Sequence, residues 1–224
     1  MAERQYPVSV DGWFSCGWDI LKERTGDLYR GVAVLAAYQG VLFLINLLPG
    51  GIFITLVIQL TAGLVISVGW MNYCLRIVRS ERVEPLSILD SLNRFRDAWA
   101  VSVLLSLMVS VGLIFLVIPG IYLMARFGFS LFAVIDRDLP VSGSFGFSER
   151  IIRGNVLQLA VFYLIAMGSF YITALLFLNI SGSAGLIMMV LYHLAVTPFI
   201  SLAFASAYDS VVCFYEYLEK EEPV

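Results

Sequence analysis

The sequence predicts an all-α membrane protein, a polytopic helical bundle that crosses the bilayer about six times as three hairpins. Three observations predict this fold. Of the 224 residues, 60% are hydrophobic, only 14% are charged, and three long stretches contain almost no charge. Soluble domains have about 25% charged residues. A soluble chain of this length buries only ~70–75% of its surface, so much apolar side chain would remain in water. Lipid accommodates that surface.

Each charge-poor stretch is long enough for two spans and a turn. Residues 31–75 and 154–208 contain no charged side chain, and residues 98–135 contain only Arg126. A spanning helix needs ~20 apolar residues at 1.5 Å each. Lipid offers the backbone no hydrogen-bond partner, which favours helices over irregular chain. The predicted spans are 29–48, 51–75, 98–118, 120–136, 155–178 and 184–212.

The turns of the hairpins are predicted at Pro49-Gly50, at Pro119-Gly120 and at residues 179–183, and Pro198 is predicted to break the sixth span. Proline cannot donate a backbone hydrogen bond, and glycine tolerates the left-handed conformation that ends helices. The fourth span is short for a bilayer. We expect it to lie beside thinned lipid or to be shielded by neighbouring helices.

The distribution of Arg and Lys predicts the orientation. Basic residues precede the first hairpin, separate the hairpins and follow the third, whereas the three turns have no charge. The positive-inside rule then places both termini in the cytoplasm. The predicted location is the bacterial inner membrane, as a multi-pass protein.

A short amphipathic segment precedes each hairpin. Such segments are predicted to lie in the membrane interface with their apolar faces toward the acyl chains. The apolar stripes are formed by Trp13, Gly17 and Leu21, by Leu89, Leu92, Phe95 and Trp99, and by Phe145, Ser148 and Ile152.

The first two hairpin units align at an offset of seventy residues, which pairs Arg24 with Arg94, Asp27 with Asp97 and Pro49 with Pro119. We predict one membrane domain, 1–224, with three parallel repeats at 10–79, 80–139 and 140–217. The alternative is that any membrane hairpin has a polar entry and a Pro-Gly turn.

Asp27, Asp97 and Asn155 stand at matching entries to the three hairpins. Side chains of this type cap helix N-termini, because their oxygens accept hydrogen bonds from free backbone N–H groups. We therefore predict that these residues cap the spanning helices.

A set of short motifs extends over about the last two-thirds of the chain. They are Ile118-Pro119-Gly120-Ile121-Tyr122, Arg126, Asp136, Ser148, Gly154-Asn155, Thr197-Pro198 and Tyr208-Asp209. With these motifs, residues 69–155 resemble bacterial membrane proteins related to the membrane domain of glycerophosphoryl diester phosphodiesterase, and similar families of unknown function. The resemblance implies a membrane architecture without catalysis, since the soluble phosphodiesterase barrel needs some 250 residues that the chain lacks.

Arg126 is the first candidate binding residue, because it is the only charge well inside a predicted span. A charge at that depth costs at least ~2.5 kcal/mol, and such charges usually face a bundle interior or a water-filled cavity. Its guanidinium group suits a lipid phosphate or an anionic solute. The structural alternatives are hydrogen bonds to carbonyls freed at the prolines, a pair with Asp209, or extension toward the interface.

Asp209 and His193 are the other candidates. Asp209 is a potential proton or cation site, or the partner of Arg126, or simply the cytoplasmic end of its helix. His193 is the sole histidine and lies about midway along the sixth span. It suits a proton relay, although a neutral histidine bonded across helices is the simpler alternative.

Several functional classes are not favoured. The net charge of −3 and the lack of a basic block argue against nucleic acid as a partner. The three cysteines are widely spaced, and a single histidine makes no metal site, so we expect no metal and no cofactor. No known catalytic motif is present.

We therefore expect a non-enzymatic scaffold or accessory subunit linked to envelope lipid handling. Its partners would be membrane lipids and other proteins, and a homo-oligomer is compatible with the sequence. The alternative is a carrier or lipid-binding translocator in which Arg126 contacts an anionic group. A third hypothesis, an enzyme acting on lipid headgroups, requires Asp209 or His193 to converge with a second polar group.

Overall fold

The computed structural model describes residues 8–178 and 183–221, except the side chains of 90–93, 174, 176–178, 183–191, 193, 219 and 221. The described chain is helical and contains no strand. Its helices are α1 Val10–Glu23, α2 Thr25–Asn46, α3 Gly51–Ile58, a π-helical turn Gln59–Gly63, α4 Leu64–Val78, a 3₁₀ helix Pro85–Arg94, α5 Phe95–Phe115, α6 Val117–Phe127, α7 Ser130–Arg137, α8 Val141–Ile151, α9 Val156–Leu178 and α10 Ser183–Glu221.

Six helical segments within the described residues are long and apolar enough to span a membrane, which confirms the predicted all-α bundle. The fourth segment is longer than predicted, because α6 and α7 together form it with a break at Gly128 and Phe129. Its neighbours shield it, and 44% of the residues in an 18-residue stretch of this segment are buried. The segments are Thr25–Asn46, Gly51–Val78, Phe95–Phe115, Val117–Arg137, Val156–Thr173 and Leu194–Leu218.

The turns of the first two hairpins differ from each other. At the first turn, Pro49 precedes Gly50, whose φ of 75° is left-handed. At the second, the chain turns at Leu116, which is extended, and Pro119 and Gly120 lie inside the first turns of α6. The prediction of a turn at Pro119-Gly120 is therefore wrong. Proline is tolerated there because N–H groups at a helix start have no intrahelical partner to lose. The third predicted turn includes residues 179–182, which lie outside the described residues.

Pro198 lies inside α10 and does not end it, so the predicted break is also wrong. Spanning helices tolerate proline when nearby side chains and small backbone adjustments compensate for the missing hydrogen bond. The helix continues without interruption from Ser183 to Glu221. The sixth span therefore continues as one helix through this point.

The predicted caps Asp27 and Asp97 lie within the first turns of α2 and α5, where the residue in the capping position is Arg24 or Arg94. A carboxylate in the first turn interacts favourably with the helix dipole without capping an N–H. Asp27 instead accepts two hydrogen bonds from Arg24, at 3.0 Å and 2.7 Å. Asn155 directly precedes α9, and its carbonyl accepts from the Leu159 N–H at 3.2 Å.

The short helix α1 packs against protein rather than against acyl chains as we had expected. Trp13 is fully buried, and its Nε1 donates to Ser210 Oγ at 2.8 Å. Gly17 lies against Ala203 of α10, so closely that a Cβ there would be 3.0 Å from the Ala203 backbone nitrogen. Trp18, by contrast, is half exposed. Close packing of small residues therefore determines which face of α1 is buried.

The bundle has a packed end and an open end. Helices α4 and α10 run side by side, because they share two contacts along their length. Trp70 Nε1 donates to Ser201 Oγ at 2.9 Å, and Arg79, which directly follows α4, donates to Asp209. We call the end that contains Arg79 and Asp209 the charged end. The largest fully buried side chains lie on or beside the helices that meet at the charged end, and on the start of α9. They are Trp13, Tyr73, Phe129, Phe132, Phe162 and Tyr208.

The opposite end of the first hairpin is open. We call residues 41–60 the first hairpin tip. Ile52, Phe53 and Ile54 are all exposed, Phe53 by 74%. Because successive helical residues point 100° apart, α3 exposes more than half of its circumference. The side chains of α2 beside the turn are exposed in the same way, and Leu42 is the buried exception.

Candidate functional site

Arg126 lies near the middle of the fourth span and has partners on two helices. Its Nη1 donates to Tyr122 Oη at 2.7 Å, one turn earlier on α6. Its Nη2 donates to Glu149 of α8, with which it forms an ion pair. The guanidinium also lies 5.7 Å from the ring centre of Phe127. Ser148, next to Glu149, donates to the Arg126 carbonyl at 3.0 Å. Helix α8 therefore holds both the backbone and the side chain of Arg126.

The charge of Arg126 is balanced by that of Glu149, and both side chains are about one third exposed. The alternative in which Arg126 pairs with Asp209 is wrong, because Arg126 pairs with Glu149 and Asp209 bonds Arg79 at 2.8 Å. An ion pair that carries no net charge attracts an anionic headgroup less strongly than a lone guanidinium would. The geometry of Arg126 therefore favours a structural role in fastening α8 to α6.

Asp209 belongs to a cluster that joins three helices at the charged end. Arg79 lies directly after α4, Asp136 lies at the end of α7, and Asp209 lies on α10. The Arg79 guanidinium bonds both carboxylates, with Nη2 of Arg79 3.1 Å from Asp136 Oδ2. Tyr208 also donates to Asp136, at 2.9 Å. We call Arg79, Asp136, Asp209 and Tyr208 the Arg79 cluster.

Arg79 shares its positive charge between the two carboxylates of the Arg79 cluster. Burial by itself would lower the pKa of Arg79, but hydrogen bonds to Asp136 and Asp209 outweigh it and hold that pKa above its usual range. The arginine therefore remains charged at every physiological pH. A second ion pair, Arg137 with Glu216, lies beside the cluster and joins the end of α7 to α10. The arrangement acts as a clamp on α4, α7 and α10.

His193 contributes only a backbone position, since its side chain lies outside the described residues. The backbone of α10 is continuous from His193 to Asp209, so these residues are roughly 24 Å apart along the helix axis. They therefore cannot form one catalytic site within a single chain. Among the described residues there is no group of three or more His, Cys, Asp or Glu side chains that could hold a metal ion.

Glu149, Arg79 and Asp136 were not predicted to be partners of the candidate residues. One signal was available for Glu149. It is the only acidic residue between 139 and 155, and an arginine in a span requires a counter-charge or water. No local signal connects Arg79 with Asp136 and Asp209, because 57 and 130 residues separate them.

Comparison with protein families, with curated proteins and with solved structures finds no match to this chain. The resemblance to the membrane domain of glycerophosphoryl diester phosphodiesterase therefore depends on the short sequence motifs alone and stays a prediction. Four of those pieces contribute to the sites described above, since Ser148 donates to the Arg126 carbonyl and Tyr208 donates to Asp136.

The pair of Arg126 and Glu149 can be tested by a double-mutant cycle. Arg126→Gln and Glu149→Gln should each lower the free energy of unfolding slightly, because each leaves one charge without its partner. In the double variant the loss should be smaller than the sum of the two single losses. Unfolding in mixed detergent micelles, followed by circular dichroism, provides the measurement.

Arg150→Gln is the control for this cycle, since Arg150 is exposed on the same helix and its Nε bonds only the Gly146 carbonyl of α8. It should leave the free energy of unfolding unchanged. Strictly additive losses in the double variant would mean that the ion pair does not fasten α8 to α6.

Proposed function

We propose that this chain is a non-enzymatic integral membrane protein that acts as a scaffold or accessory subunit. In this proposal it resides in the bacterial inner membrane with both termini in the cytoplasm. One observation carries the proposal: the helices are tied together at the charged end, whereas the first hairpin tip is exposed on most of its circumference.

The first hairpin tip supports a docking role because of how helices associate in lipid. Acyl chains are as apolar as leucine, so helix packing in a membrane depends on contact between side chains and on hydrogen bonds. Helix α3 packs against α2 and continues into the π-helical turn. Most of its surface is therefore open to a spanning helix of another protein, while the packed end keeps the hairpin in place.

The carrier alternative has less support. It required an arginine inside the bundle with a charge that is free to hold an anion, and Glu149 already neutralises Arg126. Native mass spectrometry in lipid discs separates the two proposals. An anionic lipid that remains on the wild type and is lost from Arg126→Ala would favour the carrier, and equal lipid retention would favour the scaffold.

Photo-crosslinking in native membranes tests the scaffold proposal directly. A photoreactive amino acid at Phe53 reports on the first hairpin tip, and the same residue at Leu157 is the control. Leu157 is also highly exposed, but it lies at the start of α9. We expect discrete products between Phe53 and a protein other than this chain, and mainly lipid adducts at Leu157.

The scaffold proposal would be wrong if both positions gave only lipid adducts or adducts with the chain itself. A single protomer, without other proteins, in discs extracted from native membranes would point the same way. A protein partner captured equally at both positions would show that the first hairpin tip is not the docking element.

A further inference from the structure

A group of polar side chains lies in the middle of the first hairpin. Tyr38 Oη donates to Gln59 Oε1 at 3.0 Å, which ties α2 to the start of the π-helical turn. The next residue, Gln39, is exposed and has no hydrogen bond to any other described residue. Gln39 lies seven residues before the end of its span at Asn46, or about 10 Å along the helix. Its amide group is therefore well inside the bilayer.

An unbonded amide at this depth is costly. A carboxamide has two N–H donors and a carbonyl oxygen with two lone pairs. Acyl chains provide neither a donor nor an acceptor, and burying such a group without a partner costs several kcal/mol in an apolar solvent. The stable arrangement is one in which another spanning helix presents a polar group to Gln39 at the same depth.

The surface of α2 beside Gln39 is shaped for the approach of a helix. Ala33, Ala36, Ala37 and Gly40 are all exposed and share one face of α2, which Gln39 flanks. The space beside Gly40 is open, since a Cβ there would meet no atom within 4 Å. Small residues let helix backbones approach closely in membranes, and a polar side chain at such a contact bonds across it.

We propose that a second copy of this chain docks on this face of α2, with Gln39 of one copy bonded to Gln39 of the other. Copies inserted in the same orientation are related by an axis along the membrane normal. In such a symmetric contact, equivalent residues meet at the same depth. An amide is complementary to another amide, because each donates to and accepts from the other.

This pairing deepens the proposed scaffold, whose working unit would be a dimer. It uses the α2 face beside Gln39, while the exposed surface of α3 around Phe53 remains open to a different partner. The two proposals therefore predict different products in experiments on the same membranes.

Cysteine crosslinking tests the dimer in native membranes. Ala36→Cys lies on the proposed contact, and Leu107→Cys is the control on exposed α5 at a comparable distance from the charged end. Both are made in a Cys213→Ser background, since Cys213 is exposed whereas Cys16 and Cys74 are buried. We expect a disulfide-linked dimer from Ala36→Cys and little from Leu107→Cys.

A second measurement tests the role of the amide. In lipid vesicles of defined protein content, energy transfer between labelled copies gives the dimerisation constant. Gln39→Leu should lower that constant roughly three- to tenfold, because polar contacts between spanning helices are individually modest. Gln39→Asn keeps an amide, so this variant should retain most of the wild-type dimerisation constant.

Three results would overturn the dimer: equal crosslinking at both positions, an unchanged dimerisation constant in Gln39→Leu, or capture of a different protein by Ala36→Cys. If the dimer fails while Phe53 still captures a partner, the scaffold stands without it. If the dimer forms and Phe53 captures only lipid, the chain self-associates but the scaffold proposal fails.

Discussion

Gly69→Ala is expected to separate the 3₁₀ helix Pro85–Arg94 from α4. Gly69 faces the fully buried Ile88. A Cβ on Gly69 would be 2.9 Å from Ile88 Cγ2 and far inside van der Waals contact with the Ile88 carbonyl oxygen. A backbone carbonyl cannot rotate aside as a flexible side chain can, so one of the two helices must move. Overpacking of this kind costs typically 1–3 kcal/mol, and we expect about 3 kcal/mol of unfolding free energy.

Gly168→Ala is the matched control, since Gly168 lies in the α9 span and an added Cβ there meets no atom within 4 Å. Alanine stabilises a helix relative to glycine by roughly 0.5–1 kcal/mol, so this variant should be neutral or slightly more stable. Both free energies can be measured by unfolding in mixed micelles. Equal stability of the two variants would mean that the 3₁₀ helix does not pack on α4 as described.

Removal of the guanidinium from the Arg79 cluster is expected to cause the second largest loss of unfolding free energy. Arg79→Gln leaves Asp136 and Asp209 without their shared counter-charge, and Asp136 is largely buried. Breaking a buried ion pair by removing one partner costs 3–5 kcal/mol. Arg79 itself is about one third exposed, so solvent screening reduces the cost. We expect Arg79→Gln to lower the free energy of unfolding by about 2 kcal/mol. The same unfolding experiment provides the measurement.

Two further variants make the Arg79 test specific. Arg82→Gln, an exposed arginine three residues later, removes the same charge outside the cluster and should change the unfolding free energy little. Combining Arg79→Gln with Asp209→Asn should recover part of the loss, because it removes one of the two carboxylates that lose Arg79, whereas Asp136 keeps Arg137 at 3.5 Å. A loss that is equal for Arg79→Gln and Arg82→Gln would contradict the clamp.

The consequence for function lies in how the two ends of the bundle differ. The Arg79 cluster and the pair of Arg137 with Glu216 join helices at the charged end, and Glu149 balances the charge of Arg126 inside the fourth span. The exposed apolar surface at the first hairpin tip is thereby left open to other helices, as is the tip of the second hairpin, where Ile114 is 81% exposed.

The helix class and the approximate positions of the six spans follow from local features of the sequence. A run of ~20 apolar residues without charge is a helix in lipid because no other backbone arrangement satisfies its own hydrogen bonds. Gly50 likewise allows the chain to turn directly before α3, because glycine adopts its left-handed φ of 75° without strain. Local patterns were less reliable at Pro119 and Pro198, because proline is compatible both with a turn and with a tolerated position inside a helix.

Only the tertiary structure decided which helix faces meet and which charges pair. In lipid a helix is apolar on its protein-facing and its lipid-facing sides, so hydrophobic periodicity does not distinguish the two faces. The burial of α1 depends on the contact of Gly17 with Ala203, and the partner of Arg126 depends on how α8 lies across α6. These contacts join residues far apart in the chain, whose proximity is a property of the packed bundle and of no local segment.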